Sequence, residues 1–487
     1  MAAIETRLFI NGKVRQFVEA SDGRTFPLYS PATKEKVADV SEASEEDTNA
    51  AVAAAKAAFP AWSALSPSER GVPLRKLAQL IEENHDELAR LDALSMGRPV
   101  STFADPGRAS AHFNHYAEAG YEALGTSSVN TPGFVNLTLR QPFGVVAAII
   151  PWNGPLVFLP MKAAPALVAG NTIVLKSSEK APLTCAKIAT LVEKAGFPPG
   201  VFNIISGHGH ISGNVLSHHM DVRALSFTGS GRTGRIIQQA AAKSNMKNVI
   251  LELGGKSPSI IFPDAELDKA AKETMYSIQW NSGQVCMANS RIYVHESIAP
   301  RFIELCKKSL STVVKGDPLD PKTTHGPQAD KLQWESVQHY IEASKKLGQM
   351  VLGSEEQPDD SNGYFIEPTI FLGVPEDAKA MKEEIFGPVV HINTFSTEDE
   401  VVAKANDSEY GLYASVYTND LSRALRMAKK LESGNVAINC TSPTGALDMP
   451  FGGYKSSGVG REGYTVSIDQ YLETKTVLMK IDEETSL

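Results

Sequence analysis

The chain has 487 residues, of which 42% are hydrophobic and 21% charged, so it is long enough for two or three domains and its composition disfavours disorder. Its 56 acidic residues outnumber its 47 basic residues, and the net charge of −9 disfavours a nucleic-acid surface. Four cysteines without Cys-x-x-Cys spacing indicate a reducing compartment rather than a disulfide framework.

The two ends of the sequence give little sign of targeting. The first residues have neither the apolar core of a signal peptide nor a basic amphipathic pattern. The terminal Thr485-Ser486-Leu487 is similar to a peroxisomal signal but lacks its basic middle residue. We therefore expect a cytoplasmic protein that binds neither membrane nor nucleic acid. Cysteines, histidines and acidic residues show no metal-ligand spacing, so no metal site is expected.

The N-terminal part of the chain is predicted to be helical. An alanine-rich stretch at 50–61 indicates a packed helix that ends at Pro60. Ser66-Pro67-Ser68-Glu69 combines a capping box with proline at the first helical position, and so opens a second helix. A third helix begins near Asp86 and ends at Gly97, a residue that readily closes a helix in the left-handed conformation.

From residue 144 onward, short β-rich runs alternate with helical runs. Strands are predicted at 144–150, 172–176, 201–205 and 224–227, and helices at 162–169, 181–195, 211–218 and 231–242. A second series starts after Gly255, with strands near 259–262, 290–294, 389–394 and 414–417. Strands and helices in alternation predict parallel sheets joined by right-handed crossovers. The predicted fold class is therefore α/β.

Two further segments alternate apolar and polar residues without flanking helices. Residues 129–141 are predicted to form an antiparallel hairpin around Thr131-Pro132-Gly133, and residues 474–480 have a similar alternation. Such strands expose edges, which are usually paired and can pair with another subunit. We therefore expect a small antiparallel sheet outside the parallel ones.

A glycine-rich turn follows the strand predicted at 224–227. Phe227-Thr228-Gly229-Ser230-Gly231-Arg232-Thr233-Gly234 contains the pattern G-x-G-x-x-G, in which glycines let the backbone approach a pyrophosphate at a helix N-terminus. In a conventional dinucleotide fold, Glu252 would then bind the ribose. The earlier segment Lys176-Ser177-Ser178-Glu179 also follows a strand and offers an ammonium and a carboxylate to a ribose diol. From these residues alone, Lys176 and Glu179 could equally be an exposed charged pair at a strand end, so the role of Glu252 stays open at this point.

Cys286 has the sequence surroundings of a nucleophile. It lies in Trp280-Asn281-Ser282-Gly283-Gln284-Val285-Cys286-Met287-Ala288, and it follows Glu252-Leu253-Gly254-Gly255-Lys256 in the chain. A thiolate attacks carbon, and a carboxylate takes a proton from the water that later attacks the adduct. Asn153, in Pro151-Trp152-Asn153, comes at the end of a predicted strand, and its neutral amide is a good donor to an oxyanion. The three residues predict covalent thiol catalysis with a separate base.

These motifs resemble the aldehyde dehydrogenase superfamily over nearly the whole chain. Two further matches are Glu384-Ile385-Phe386-Gly387-Pro388 and the segment 450–458. The resemblance implies two parallel-sheet, Rossmann-like domains, one for the cofactor (1–123 and 143–254) and one for catalysis (255–455). It also implies a small antiparallel β oligomerisation element (124–142 and 456–487), and with it a homodimer or homotetramer.

The resemblance further implies a nicotinamide dinucleotide as cofactor. In this family the Lys-x-x-Glu pair lies at the adenosine ribose, the Phe-Thr-Gly-Ser turn against the pyrophosphate, and the glutamate of Glu-x-Phe-Gly-Pro at the nicotinamide ribose. The expected cofactor-binding residues are Ile150, Pro151, Trp152, Lys176, Ser178, Glu179, Gly209, Gly213, Phe227, Thr228, Gly229, Ser230, Thr233, Leu253, Gly254, Glu384 and Phe386. A carboxylate at Glu179 repels a 2′-phosphate, so NAD is favoured, with NADP as a weaker alternative.

The reaction implied by the resemblance is oxidation of an aldehyde to the acid. Cys286 attacks the carbonyl, Asn153 and the Cys286 amide hold the oxyanion, and after hydride transfer Glu252 activates the water that hydrolyses the thioester. Family members that transfer the acyl group to coenzyme A generally lack this base, so the hydrolytic type is expected. Lys162 matches a family lysine and is expected to support the site electrostatically.

The residues that match the family's aldehyde path are mostly apolar. They are Phe158, Met161, Trp280, Val285, Met287 and Phe451. Thr444 and Leu447 come from a loop that departs from familiar members, and Asp448 is the only charge expected nearby. The sequence therefore predicts an uncharged aliphatic or aromatic aldehyde. Of the other cysteines, Cys185 and Cys306 are expected in the core and Cys440 is expected to be structural.

Two other functions stay open at this point. A catalytically silent structural or binding protein on the same fold would need a lost nucleophile or base, and this chain has both. A conventional Rossmann alcohol or hydroxy-acid dehydrogenase that used Gly229 to Gly234 would leave Cys286 and Asn153 without roles.

Overall fold

The computed structural model describes residues 4–15, 23–355 and 361–481, so the tripeptide at 485–487 lies outside the described residues. The strands are β1 (Leu8–Ile10), β2 (Lys13–Arg15), β3 (Thr25–Tyr29), β4 (Lys36–Ser41), β5 (Ser127–Ser128), β6 (Phe134–Pro142), β7 (Val145–Ile149), β8 (Thr172–Ser177), β9 (Phe202–Ser206), β10 (Val222–Thr228), β11 (Asn248–Glu252), β12 (Pro258–Ile261), β13 (Arg291–His295), β14 (Gln349–Leu352), β15 (Thr369–Leu372), β16 (Val389–Phe395), β17 (Tyr410–Gly411), β18 (Tyr413–Tyr417), β19 (Asn435–Ile438), β20 (Tyr454–Lys455), β21 (Gly458–Val459) and β22 (Leu472–Lys480).

The helices are distributed along the whole described chain. They are α1 (Glu45–Ser63), α2 (Pro67–Glu83), α3 (His85–Met96), α4 (Asp105–Ala119), α5 (Pro155–Val168), α6 (Leu183–Ala195), α7 (Asn214–His218), α8 (Gly231–Lys243), α9 (Leu267–Gln279), α10 (Ala299–Leu310), α11 (Lys331–Lys345), α12 (Lys379–Lys382), α13 (Glu398–Asn406), α14 (Leu421–Lys430) and α15 (Tyr464–Asp469). None of the helices in the described ranges is long and apolar enough to cross a membrane.

The first large sheet has the strand order β2-β1-β9-β8-β7-β10-β11-β21. The five strands β9, β8, β7, β10 and β11 are parallel, whereas β1 pairs antiparallel with β9 and β21 pairs antiparallel with β11. Alternate residues of β7 belong to two apolar clusters, one containing Val146 and Ala148 and the other Val145 and Ala147, so a core lies on each face. The chain order reverses between β7 and β10, and a crevice at the carboxyl ends of such strands is where α/β sheets bind ligands.

The second large sheet has the order β14-β15-β16-β13-β12-β18-β19. Only the edge strand β14 among these is antiparallel to its neighbour. Again the two faces carry separate apolar clusters, since Ile260 belongs to one and Ile261 to the other. The predicted α/β class with two parallel sheets is thus confirmed.

A separate antiparallel sheet has the order β22-β6-β5. Strand β22 pairs with β6 along its full length, from Leu472 opposite Pro142 to Lys480 opposite Phe134. The two alternating segments found in the sequence therefore pair with each other. The predicted start of the hairpin at residue 129 is wrong, because β5 ends at Ser128 and residues 129–133 form the turn.

The helix boundaries next to prolines were the least accurate predictions. Pro60 does not end its helix, because α1 continues to Ser63 and Ala64 N–H still bonds to the Pro60 carbonyl. A proline removes only its own N–H, so the last turn can follow it. Helix α5 begins at Pro155, seven residues before the predicted start, because proline fits the first helical turn. The helix predicted at 211–218 begins with a π-helical turn, Gly209–Gly213.

Candidate active site

Three segments from the two large sheets meet at the predicted site. Asn153 follows β7 and Glu252 ends β11, so both lie at the carboxyl edge of the first sheet. Cys286 lies between α9 and β13 of the second sheet. A Cβ on Gly255 would clash with the carbonyl oxygen of Cys286, so the chain that follows Glu252 runs directly against the backbone of the nucleophile. The structure therefore brings the three predicted catalytic residues into one region.

Asn153 is bound to the segment that carries Cys286. Its Nδ2 donates to the Gln284 carbonyl at 2.9 Å, and Asn281 Nδ2 donates to the Asn153 carbonyl at 3.0 Å. The first bond uses one of the two N–H groups of the Asn153 amide. Both asparagines are buried, so these bonds are shielded from water.

The segment before Cys286 has an unusual backbone. Asn281, Ser282 and Gly283 have positive φ angles of 50°, 53° and 75°. Ser282 Oγ donates to the Gly326 carbonyl at 2.7 Å, and the Gln284 side chain accepts from Ala329 N–H at 2.8 Å. These bonds hold a conformation that side-chain-bearing residues rarely adopt, as is common at functional sites.

The pKa of the Cys286 thiol is raised well above its ordinary value. Burial is the largest cause, followed by the negative charges of Glu252 and Glu384. In this structure the thiol is therefore protonated near neutral pH.

Glu252 is buried, with 1% of its surface exposed, and neither carboxylate oxygen has a hydrogen-bond partner among the described residues. Its pKa is raised well above 4.5 by burial and then by the charge of Glu462, while Lys162 acts in the opposite direction. A carboxyl group with a raised pKa and free oxygens is suited to take a proton from water.

Lys162 forms a buried cluster with Glu462 and Ser226. Its Nζ lies 2.7 Å from Glu462 Oε1 and 2.9 Å from Ser226 Oγ, and the serine hydroxyl donates to the same carboxylate oxygen at 2.9 Å. Sequence reasoning found Lys162 but missed the other two. Glu462 follows the 450–458 motif with no pattern of its own, and Ser226 looks like any polar residue inside a strand.

The predicted adenosine-ribose residues lie where β8 ends. Lys176 is buried, its Nζ donates to the Ser177 carbonyl at 2.9 Å, and burial lowers its pKa although Glu179 partly opposes this. Ser178 is buried and Glu179 is half-buried. Gly213 lies beside the Lys176 side chain, and the turn that contains Gly209 follows the neighbouring strand β9.

The glycine-rich turn joins β10 to α8. Ser230 caps α8 by accepting the Thr233 N–H at 3.3 Å, and Thr228 pairs in register with Glu252. A Cβ on Gly229 would lie 2.5 Å from the Phe227 ring, so only glycine fits there without a shift. Leu253 packs on the same helix, at Gly234.

Glu384 reaches back to the Glu252 segment. Its Oε1 accepts from Gly255 N–H at 2.8 Å, and a Cβ on Gly254 would clash with its carboxylate. Burial raises the pKa of Glu384 to about 7, opposed by that N–H and by Lys256. Phe386 contacts Trp152 edge-on with ring centres 5.5 Å apart, and Ile150 and Pro151 directly precede this tryptophan.

The predicted substrate residues come from four segments. Phe158 and Met161 lie on α5, Val285 and Met287 flank Cys286, and Trp280 opens its segment. Phe451 pairs through its backbone with Glu462. Residues 444–450, including Thr444, Leu447 and Asp448, are exposed.

The prediction that Asp448 is the only charge near this set is wrong. The guanidinium groups of Arg98 and Arg108 lie 5.8 and 5.9 Å from the centre of the Trp280 ring. Both arginines are far from Trp280 in sequence, so no local pattern could place them.

Cys185 and Cys306 are fully buried in α6 and α10, as expected for core residues. Cys440 is half-buried.

Comparisons with known proteins show the family of this chain. Residues 17–477 match the model of the aldehyde dehydrogenase family. The chain is 43% identical to an aldehyde dehydrogenase of Alternaria alternata, over 98% of this chain and 96% of that one. It is 42% identical to aldehyde dehydrogenase 1A1 of Bos taurus, over 99% and 96%.

Solved structures give the same result. The crystal structure of the aldehyde dehydrogenase KauB from Pseudomonas aeruginosa matches with a TM-score of 0.95 and 41% identity, over 98% of this chain and 97% of that one. An indole-3-acetaldehyde dehydrogenase variant from P. syringae, solved with NAD+ and IAA, also matches with a TM-score of 0.95, at 40% identity and the same coverage. The chain therefore belongs to the aldehyde dehydrogenase family.

Proposed function

We propose that this protein oxidises an aldehyde to the carboxylic acid with NAD as the hydride acceptor, through a covalent adduct on Cys286. The observation that carries the proposal is the placement of Cys286, Glu252 and Asn153 in one region, with the chain after Glu252 against the Cys286 backbone and Asn153 bonded to its segment. A nucleophile, a base and an oxyanion donor are the groups that acyl chemistry requires.

The residues at the carboxyl edge of the first sheet fit a dinucleotide. A Cβ on Gly209 would meet nothing within 4 Å, so the backbone there is open to a ligand. Helix α8 begins at Gly231, directly after its cap Ser230, and its N-terminus suits a pyrophosphate, while Glu179 offers its carboxylate to a ribose diol. The nearby predicted residues complete this proposed site: Ile150, Pro151, Trp152, Lys176, Ser178, Gly213, Phe227, Thr228, Gly229, Thr233, Leu253, Gly254, Glu384 and Phe386. When bound, NAD supplies the hydride acceptor, and Glu179 disfavours the 2′-phosphate of NADP.

In the first half of the reaction, the Cys286 thiol loses its proton to solvent, and the sulfur bonds to the aldehyde carbon and gives a tetrahedral oxyanion. Asn153 Nδ2 and the backbone N–H of Cys286 donate to that oxygen. Donors already fixed by hydrogen bonds stabilise the developing charge without reorganising, so the buried Asn153 amide is suited to the task. Loss of hydride from the carbon leaves a thioester on Cys286.

In the second half, Glu252 takes a proton from water, whose oxygen attacks the thioester and releases the acid and the thiol. Lys162 favours the ionised form of Glu252, while Glu462 disfavours it. Glu462 therefore adds to the rise in the pKa of Glu252 that burial causes, and Lys162 offsets part of that rise.

We further propose that the three sheets have separate roles, as the sequence predicted. Residues 1–123 and 143–254 bind the cofactor, and residues 255–455 carry the nucleophile. Residues 124–142 and 456–487 would assemble a homodimer or homotetramer, which the exposed apolar side chains Leu139 and Leu478 support. A cytoplasmic location is supported by the 41% identical relative named cytosolic 1 in Elephantulus edwardii.

The direct test is NADH absorbance on mixing the protein, NAD and an aldehyde such as hexanal. We expect NADH and hexanoate in equal amounts. No NADH, or NADH without hexanoate, with a panel of aldehydes would reject the proposal.

A further inference from the structure

Trp280 lies beside two guanidinium groups whose environments differ. Arg98 is buried and forms ion pairs of 2.8 Å with Asp92 and 2.6 Å with Asp105. Arg108 is exposed, and among the residues that the structure describes no carboxylate lies within ion-pair distance of it. The carboxylate one turn earlier on α4 is that of Asp105, which Arg98 already uses. One of the two positive charges at Trp280 is therefore neutralised and the other is not.

The second charge lies beside Trp280, which is one of the residues proposed to contact the aldehyde. Trp280 begins the segment that leads to Cys286, and α4 packs on α5, which carries Phe158 and Met161. His112 is one turn after Arg108 on α4 and so lies on the same face. Burial lowers the pKa of His112 to about 4, helped by the positive charges of His115 and Arg108. At neutral pH this helix face therefore presents a guanidinium and a neutral imidazole.

We propose that Arg108 binds a carboxylate at the far end of the substrate, so that the preferred substrates are aldehydes with a terminal carboxylate. The inference rests on the proposed function and replaces the expectation of an uncharged aldehyde. A guanidinium presents paired N–H donors that match the two oxygens of a carboxylate. The Arg108 guanidinium lies 5.9 Å from the centre of the Trp280 ring, within the range of a cation–π contact. The apolar side chains of Val285 and Met287, which flank Cys286, suit the aliphatic part of such a molecule.

The test compares 6-oxohexanoate with its methyl ester, which has the same aldehyde and nearly the same length but no charge. We expect the wild-type protein to favour the carboxylate about tenfold or more in kcat/KM, as one charge-assisted bond allows. Arg108→Met should abolish this preference and Arg108→Lys should keep part of it. Arg301→Met removes an exposed arginine on α10, and so makes the same change in net charge without affecting the preference.

The outcomes separate this inference from the proposed function. Oxidation of the methyl ester with no preference for the carboxylate, or a preference that survives Arg108→Met, overturns the role of Arg108 alone. No NADH with any aldehyde overturns the proposed function and this inference with it. A preference that Arg301→Met also abolishes would reflect net charge and would overturn the specific site.

Discussion

Lys162 Nζ lies 2.7 Å from Glu462 Oε1, and both side chains are buried and act on the charge of Glu252. The two partners act in opposite directions, because the ammonium favours the ionised form of Glu252 and the carboxylate of Glu462 disfavours it. This opposition makes the pair testable through the pH dependence of turnover.

We expect Lys162→Met to shift the acid limb of the kcat profile to higher pH. Without the ammonium the pKa of Glu252 rises further, so a higher pH is needed to ionise the base. Glu462→Gln should shift the same limb to lower pH, because it removes a repulsive charge and leaves Lys162. The measurement is kcat from pH 6 to 10.

Lys308→Met, which removes an exposed lysine of α10, is the control for net charge. Shifts in the same direction for Lys162→Met and Glu462→Gln would contradict the opposite effects of the two charges on Glu252. Breaking a buried ion pair also costs about 3–5 kcal/mol of stability, so thermal unfolding of each variant should be measured first.

Cys286→Ala should abolish aldehyde oxidation while NAD binding survives, because the alanine leaves the edge of the first sheet unchanged. Calorimetry gives the NAD affinity and absorbance gives NADH. Cys440→Ala removes the other partly accessible thiol and should retain activity. Appreciable oxidation by the Cys286 variant would reject the covalent route.

Glu252→Gln should produce a burst of NADH close to one equivalent per site and then lose steady-state turnover. The amide has nearly the shape of the carboxyl group but cannot accept the proton from water, so the thioester accumulates. Stopped-flow absorbance separates the two phases. Loss of the burst itself would place Glu252 in the first half of the reaction.

Asn153→Ala should lower kcat by about 10²–10³-fold, which corresponds to a barrier higher by roughly 3 kcal/mol. The change removes a donor to the oxyanion and the bond to the Gln284 carbonyl. The burst rate reports the first loss, and the unfolding temperature reports the second. An unchanged burst rate would remove Asn153 from the oxyanion site.

The thiol of Cys286 should react slowly with iodoacetamide at pH 7 in the absence of NAD and aldehyde. Its pKa is raised by burial, Glu252 and Glu384, so the thiolate fraction, and with it the alkylation rate, should increase steadily from pH 7 to 10. A Cys440→Ala background leaves Cys286 as the reporter, since Cys185 and Cys306 are buried. A rate that is already maximal at pH 7 would contradict the raised pKa.

Local patterns predicted much of this protein. The capping box at Ser66 and the left-handed Gly97 are confirmed, because both depend on neighbouring residues only. The motifs around Glu252 and Cys286 were visible for the same reason, since each is a short continuous segment.

Features that depend on distant segments were missed. Glu462 meets Lys162 across 300 positions, and Arg108 meets Trp280 from another helix. Such contacts cannot be predicted from a sequence unless the topology of the fold is already known. The prediction that α1 ends at Pro60 was wrong for a different reason. A proline near the end of a helix destabilises the helix too little to end it.

The segment from Gly458 to Lys480 makes three separate contacts. Strand β21 extends the first sheet beside Glu252, Glu462 forms an ion pair with Lys162, and β22 pairs with β6. A deletion that began at residue 457 would remove the edge strand of the first sheet. It would also leave the buried Lys162 ammonium without its counter-ion and expose the edge of β6. Residues 457–480 are therefore needed for folding. We expect a protein truncated within them to be insoluble, rather than soluble with reduced activity.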